Sequence, residues 1–91
     1  MPGNSATTPH AALGQALRSI RLAAGLSQEQ LGLESGVQRN FISLIETGHN
    51  QPTIGTISKL ARALGLKASE LVAEAEREGH TGPKGRRRTG T

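Results

Sequence analysis

One stretch constrains this chain more than any other: Leu26 to Glu46, LSQEQLGLESGVQRNFISLIE. Ser27 can cap a helix, and Gln30 three residues later completes a capping box, in which each side chain accepts the other residue's backbone N–H. Leu31 supplies the inward side chain of that helix. Gly36 stops it, because a residue without Cβ takes the left-handed conformation that ends a helix. Val37 restarts the apolar pattern, and Ile42 and Ile45 continue it. Gly32 sits mid-helix, where it costs ~1 kcal/mol against Ala, so a residue that small suits a close crossing of the second helix. The stretch predicts two short helices joined by a tight turn, with one face of the second left polar.

That layout puts a helix into the major groove of DNA. The residues that carry it are Gln28 at the start of the first helix, the small Gly32, the turn Gly36, then Val37, Ile42, Ile45 and the Ile45-Glu46-Thr47-Gly48 exit. On these residues the stretch resembles the phage-repressor (Cro/C1, XRE-type) helix-turn-helix family. Pro52-Thr53-Ile54 followed by LARALGL resembles the fourth helix of that family, and the resemblance covers about residues 12 to 75. It implies an all-α fold: a compact five-helix, lambda-repressor-like DNA-binding domain with the helix-turn-helix at helices 2 and 3.

The periodicity gives the same fold class. Residues 1–8 are small and polar, contain Pro and Gly, and are expected to be disordered. The folded domain is expected over 9–78. Thr8 should cap helix 1, with Pro9 at the first helical position, where its missing N–H is harmless. Leu13, Leu17, Ile20 and Ala24 recur at three- and four-residue spacings and predict one buried stripe. Helix 2 is expected over Gln28 to Ser35 and helix 3 over Gln38 to Thr47, followed by a loop at His49 to Pro52. Thr53 can cap helix 4, with Ile54, Ile57, Leu60, Ala61 and Leu64 inward. Helix 5 is expected over Ala68 to Arg77, with Leu71, Val72 and Ala75 inward. Residues 79–91 have almost no apolar content and read as a disordered basic tail. No strand pattern, internal repeat or heptad seam is visible.

The net charge of +4 is unevenly placed. Residues 1–78 carry seven Lys/Arg and seven Glu, which cancel. The excess comes from Lys84, Arg86, Arg87 and Arg88 in the tail. Glu70, Glu74, Glu76 and Glu78 fall in the last helix, which phosphates would repel, so that helix is expected away from DNA. Residues 1–66 hold five basic and three acidic residues, a weakly positive field suited to a polyanion.

At 100° per residue, Gln38, Phe41, Ile42 and Ile45 cluster on one side of helix 3. Arg39, Asn40 and Ser43 lie opposite, with Leu44 on the edge. In the resembled family the free side enters the major groove, which implies base contacts for Arg39, Asn40, Ser43 and Leu44. The chemistry suits them: Arg pairs bidentately with guanine O6 and N7, Asn with adenine N6 and N7, and Leu packs on a thymine methyl. Leu44 also has the plainer reading of a lone exposed Leu. Phosphate contacts are expected from Gln28 at the start of helix 2, from Asn50 and Gln51 after helix 3, and from Ser43 if it does not go to a base. Phe41, the sole aromatic, reads as core. The family pairs an Arg in helix 1 with the Glu closing helix 3. Arg21 and Glu46 match, which implies a structural salt bridge between them.

Other chemistry is poorly supplied. There is no Cys, hence no disulfide and no thiolate metal site. His10, His49 and His80 are scattered, with no Asp to join them, so no metal or cofactor is expected. No nucleophile elbow or phosphate-cradling glycine loop occurs, and enzymatic activity is not expected. No apolar run is long enough to span a bilayer, and the N-terminus lacks the layout of a secretory signal. The expectation is a cytoplasmic protein with no membrane partner and no small-molecule ligand.

The reading these features carry is a sequence-specific transcriptional regulator of double-stranded DNA. It would bind a palindromic operator as a homodimer, with half-sites about one helical turn apart. Helix 5 and the helix 4–5 corner are the expected pairing surface, since Leu71 and Val72 would leave apolar surface there. The tail has three readings: a solvated terminus, a processing remnant, or a source of non-specific DNA affinity through counterion release, which is preferred. The alternative function is an antitoxin or adaptor, a protein-interaction module on the same fold. A basic, Gly-rich tail argues against it, because a toxin-wrapping segment is apolar and foldable. RNA binding is weaker still, for want of aromatic stacking platforms.

Overall fold

The computed structural model describes residues 9–79, which form five helices. They are α1 (Pro9–Ala23), α2 (Gln28–Ser35), α3 (Arg39–Glu46), α4 (Ile54–Ala63) and α5 (Ala68–Gly79). No strand occurs among the described residues. Helix α1 lies against α5 on one side and α3 on the other, while α2 and α5 both pack on α4, and α2 on α3. The capping residue expected for α1, Thr8, lies outside the described residues, as do the N-terminal segment 1–8 and tail residues 80–91.

Local chemistry sets the element boundaries. Ser27 Oγ accepts the Gln30 N–H at 3.0 Å and Gln30 Oε1 accepts the Ser27 N–H at 2.8 Å, closing the capping box of α2. Gly36 ends the helix at φ +78°, donating to the Gly32 carbonyl at 2.9 Å. Thr53 caps α4 by accepting the Thr56 N–H at 3.2 Å. Glu70 reaches back to accept the Lys67 N–H at 2.7 Å at the start of α5. The bonds of Ser27, Gln30, Thr53 and Glu70 each satisfy a donor that a helix start would otherwise leave without a partner, and that of Gly36 satisfies a carbonyl at a helix end.

The core joins Leu17, Leu31, Val37, Ile42, Ile45, Ile57, Leu60, Ala61 and Leu71, so every helix contributes to it. Five expectations need correction. Ala24 is exposed, because α1 ends at Ala23 and the next residue turns away. The fully buried stripe of α1 is instead Ala12, Gly14, Ala16, Leu17 and Arg21, with Leu13 and Ile20 packed at its margins. Ile54 is 70% exposed: it is the first residue of α4 and projects outward, leaving Ile57, Leu60 and Ala61 to fill the core. Leu71 is only 1% exposed, so it offers no apolar surface for pairing, and Val72 alone of that pair stays half-exposed. Gln38 does not join the inner side of helix 3. It is the exposed, extended N-cap residue, and Thr47 likewise lies just past the helix end.

Candidate nucleic-acid interface

Helix α3 has two unlike sides. Ile42, Ile45 and Glu46 are buried, and Phe41 is half-buried against the same core. Arg39 and Asn40 are exposed, Leu44 is 42% exposed and Ser43 is half-buried. The positions 39, 40, 43 and 44 thus share one free ridge along two turns, as i, i+1, i+4 and i+5 spacing requires. The ridge carries a guanidinium, a carboxamide, a hydroxyl and an apolar tip.

Two glycines allow α3 to sit this close to its neighbours. A Cβ at Gly32 would stand 2.8 Å from the Val37 carbonyl oxygen, so the turn into α3 passes where any larger residue of α2 would be. A Cβ at Gly14 would stand 2.7 Å from the Glu46 carbonyl oxygen and closer still to that of Ile45. The last turn of α3 therefore rests directly on the α1 backbone. The sequence reading explained Gly32 but missed Gly14, although the same signal, a glycine inside a helical pattern, was present.

The end of α3 is fixed by ions as well as by packing. Arg21 of α1 donates from Nε to Glu46 Oε2 at 2.6 Å and from Nη2 to Glu46 Oε1 at 2.9 Å. Both residues are buried, at 6% and 8% exposure. A third arm, Arg21 Nη1, donates to the Leu26 carbonyl at 2.8 Å and ties in the α1–α2 turn. The hydrogen bond to Glu46 raises the Arg21 pKa above its ordinary value; burial opposes this, and the attraction of the carboxylate adds to it.

Gln28, the first residue of α2, is half-buried, and its Nε2 donates to Glu46 Oε1 at 3.0 Å. Sequence reasoning had directed Gln28 at phosphate and missed this internal contact, which no local pattern encodes. Asn50 is half-buried and Gln51 exposed in the segment after α3. The backbone N–H groups of His49 and Asn50 both reach the Leu44 carbonyl, at 2.8 and 3.2 Å, folding that segment against the helix exit. The basic residues Lys84, Arg86, Arg87 and Arg88 lie outside the described residues.

Helix α5 carries the acids. Glu74 pairs with Arg77 on its exposed side, and Glu70 is spent on the cap at Lys67. Among the described residues no group of three His, Cys, Asp or Glu could hold a metal ion, and no helix is long and apolar enough to cross a membrane.

Comparison with known proteins agrees with this geometry. Residues 17–71 match the helix-turn-helix family model HTH_3. The chain is 34% identical over 64 residues to an uncharacterized HTH-type transcriptional regulator, y4dJ, of Sinorhizobium fredii, covering 70% of this chain and 83% of that protein. Its fold matches the crystal structure of the clp gene regulator ClgR from Corynebacterium glutamicum at a TM-score of 0.78 and 26% identity, covering 85% of this chain and 99% of the other. It also matches the restriction-modification controller protein C.AhdI from Aeromonas hydrophila at 0.65 and 41% identity, covering 67% and 92%. The exposed polar ridge on a braced third helix and the family match lead to one conclusion: this chain belongs to the helix-turn-helix (HTH_3) family of DNA-binding regulators.

Proposed function

We propose that this regulator reads a palindromic operator as a homodimer, each copy laying α3 in the major groove. The observation that carries the reading is the division of α3 into a buried side of Ile42, Ile45 and Glu46 and a free ridge of Arg39, Asn40 and Leu44. In this proposal Arg39 pairs with guanine, Asn40 with adenine, Leu44 meets a thymine methyl, and Ser43 reaches a base or a phosphate. Gln28, Asn50 and Gln51 contact phosphates and set the register in which the ridge meets the bases. The basic tail adds sequence-independent affinity. Pairing follows from energetics, since one such module buries only about 600–1,000 Å² of its surface on DNA, and two linked half-sites bind far more tightly than one. The α4–α5 corner, where Leu66 and Val72 stay half-exposed, is the proposed pairing surface. The protein works in the cytoplasm, beside its DNA, with no catalytic step.

Selection of bound duplexes from a random pool tests this. The expected product is a two-fold symmetric site with a guanine opposite Arg39. Equal recovery of every sequence would reject base readout, and co-purification of a stoichiometric protein partner without DNA preference would favour the adaptor reading.

A further inference from the structure

We propose that Glu46 is a positioning residue for phosphate binding: it holds the Gln28 carboxamide in one orientation, with the second Nε2 hydrogen left for a DNA backbone phosphate. The inference rests on the reading of the α2 start as a phosphate contact, and it adds the residue that makes that contact directional.

The Glu46 carboxylate gathers three donors from two elements: Arg21 Nε and Nη2 from α1, and Gln28 Nε2 from α2. Its side chain is 2% exposed and both its oxygens accept from a guanidinium, so it presents acceptors only. A carboxamide beside it must therefore turn its NH2 end inward, because the flipped amide would set oxygen against oxygen. That NH2 group has two hydrogens. Glu46 takes one, and among the described residues the other has no acceptor. Gln28 opens α2, where the free N–H groups of the first turn already favour an anion.

Charge decides whether such a device can work. A bare carboxylate 3.0 Å from Gln28 Nε2 would repel the phosphate that Gln28 is to hold. Arg21 cancels it with a paired positive charge, so the site presents an oriented N–H with no net negative charge behind it. Glu46 is also the last residue of α3. One side chain thus ties the phosphate donor on α2 to the end of the base-reading helix, fixing their relative register.

The test uses the full chain and a mixed-sequence duplex, with affinity measured across a salt series and Tm measured alongside. Gln28→Met keeps the packed stem and removes the N–H. It is expected to lower affinity about tenfold at every salt concentration, the loss of one hydrogen bond to a charged acceptor. The salt slope should not change, since a neutral donor releases no counterion. Glu46→Gln, whose amide no longer dictates which way Gln28 points, should show the same loss, and the double variant no further loss. Should Glu46→Gln fail to fold, Gln28→Asn replaces it: it retains an amide but is one methylene too short to reach Glu46, and should bind as weakly as Gln28→Met. Wild-type affinity in Gln28→Met would overturn the Gln28 phosphate contact and the positioning role with it, whereas a loss in Gln28→Met beside wild-type affinity in Glu46→Gln or Gln28→Asn, or losses that add in the double variant, would overturn the positioning role alone. A wild-type chain that binds no duplex even at low salt would overturn the phosphate contact and the DNA reading together.

Discussion

Arg21 and Glu46 meet as a fork against a fork, Nε and Nη2 at 2.6 and 2.9 Å from the two carboxylate oxygens, across 25 residues of sequence. The pair is almost dry, and its removal is asymmetric. Glu46→Ala leaves a buried guanidinium without its partner and should cost about 3–5 kcal/mol. At roughly 4–8 °C per kcal/mol for a domain this small, Tm should fall by more than about 12 °C. Replacing both residues with apolar ones, Arg21→Met with Glu46→Leu, should recover most of the loss, because no charge is then stranded. An unchanged Tm in Glu46→Ala would show that the pair carries no net stability.

The same pair fixes a pH expectation. The Arg21 pKa is raised on folding, chiefly by its hydrogen bond to Glu46. A raised basic group contributes stability fully below its unfolded pKa and loses it only as pH rises through the folded value. Both lie far above neutrality, so Arg21 should add no slope to Tm between neutral and mildly alkaline pH. Arg21→Met, which leaves the Glu46 carboxylate buried without its partner, should lower Tm throughout that range; an unchanged Tm would show that the pair carries no net stability.

What could be read ahead of the structure divides along physical lines. Caps and stops are local, so Ser27 with Gln30, Gly36 and Thr53 announce α2 and α4 within a few residues. Periodicity gives the helix, but not which edge of the apolar stripe lies deepest. That is set by neighbours distant in sequence, and so Ala24 and Ile54 were expected inside and are exposed. The free ridge of α3 was legible because amphipathicity is strong there. The turn of Gln28 toward Glu46 was not, because a contact 18 residues apart leaves no local trace.

Gly14 offers a direct test of the α1–α3 approach. Alanine there gains ~1 kcal/mol of helix propensity. Its Cβ, however, would press on the backbone carbonyls of Ile45 and Glu46, which cannot rotate away as a side chain would. Overpacking of this kind costs about 1–3 kcal/mol, so the net effect of Gly14→Ala should be a lower Tm. A higher Tm would mean that α3 can lift from α1 at little cost.

The corrected core predicts opposite responses from two large aliphatic residues. Leu71→Ala removes a side chain only 1% exposed and should cost about 2–5 kcal/mol. Ile54→Ala trims a side chain 70% exposed and should stay within about 0.5 kcal/mol of wild type. Denaturant unfolding of the two variants compares them directly. A large loss from Ile54→Ala would place that residue in an interface of the native assembly.

The tail is tested by removal. Deleting residues 80–91 takes away Lys84, Arg86, Arg87 and Arg88, the whole of the net positive charge. Each phosphate they neutralise adds about 0.9 to the steepness of log affinity against log salt. The shortened chain should therefore bind more weakly at low salt, with a flatter dependence and an unaltered preference among sequences. An unchanged slope would leave the tail without a role in DNA affinity.

Arg39 carries the sharpest prediction about recognition. A bidentate pair with guanine discriminates by about 1–3 kcal/mol, so Arg39→Ala should relax the preference at one base-pair position of each half-site and leave the others intact. Arg39→Lys should behave more like the alanine variant than like wild type, because an ammonium keeps the charge but not the planar fork. That contrast separates base reading from general attraction: if charge alone mattered, lysine would restore both affinity and preference. Binding-site selection on the three proteins decides it, and full rescue by lysine would assign Arg39 to a phosphate instead.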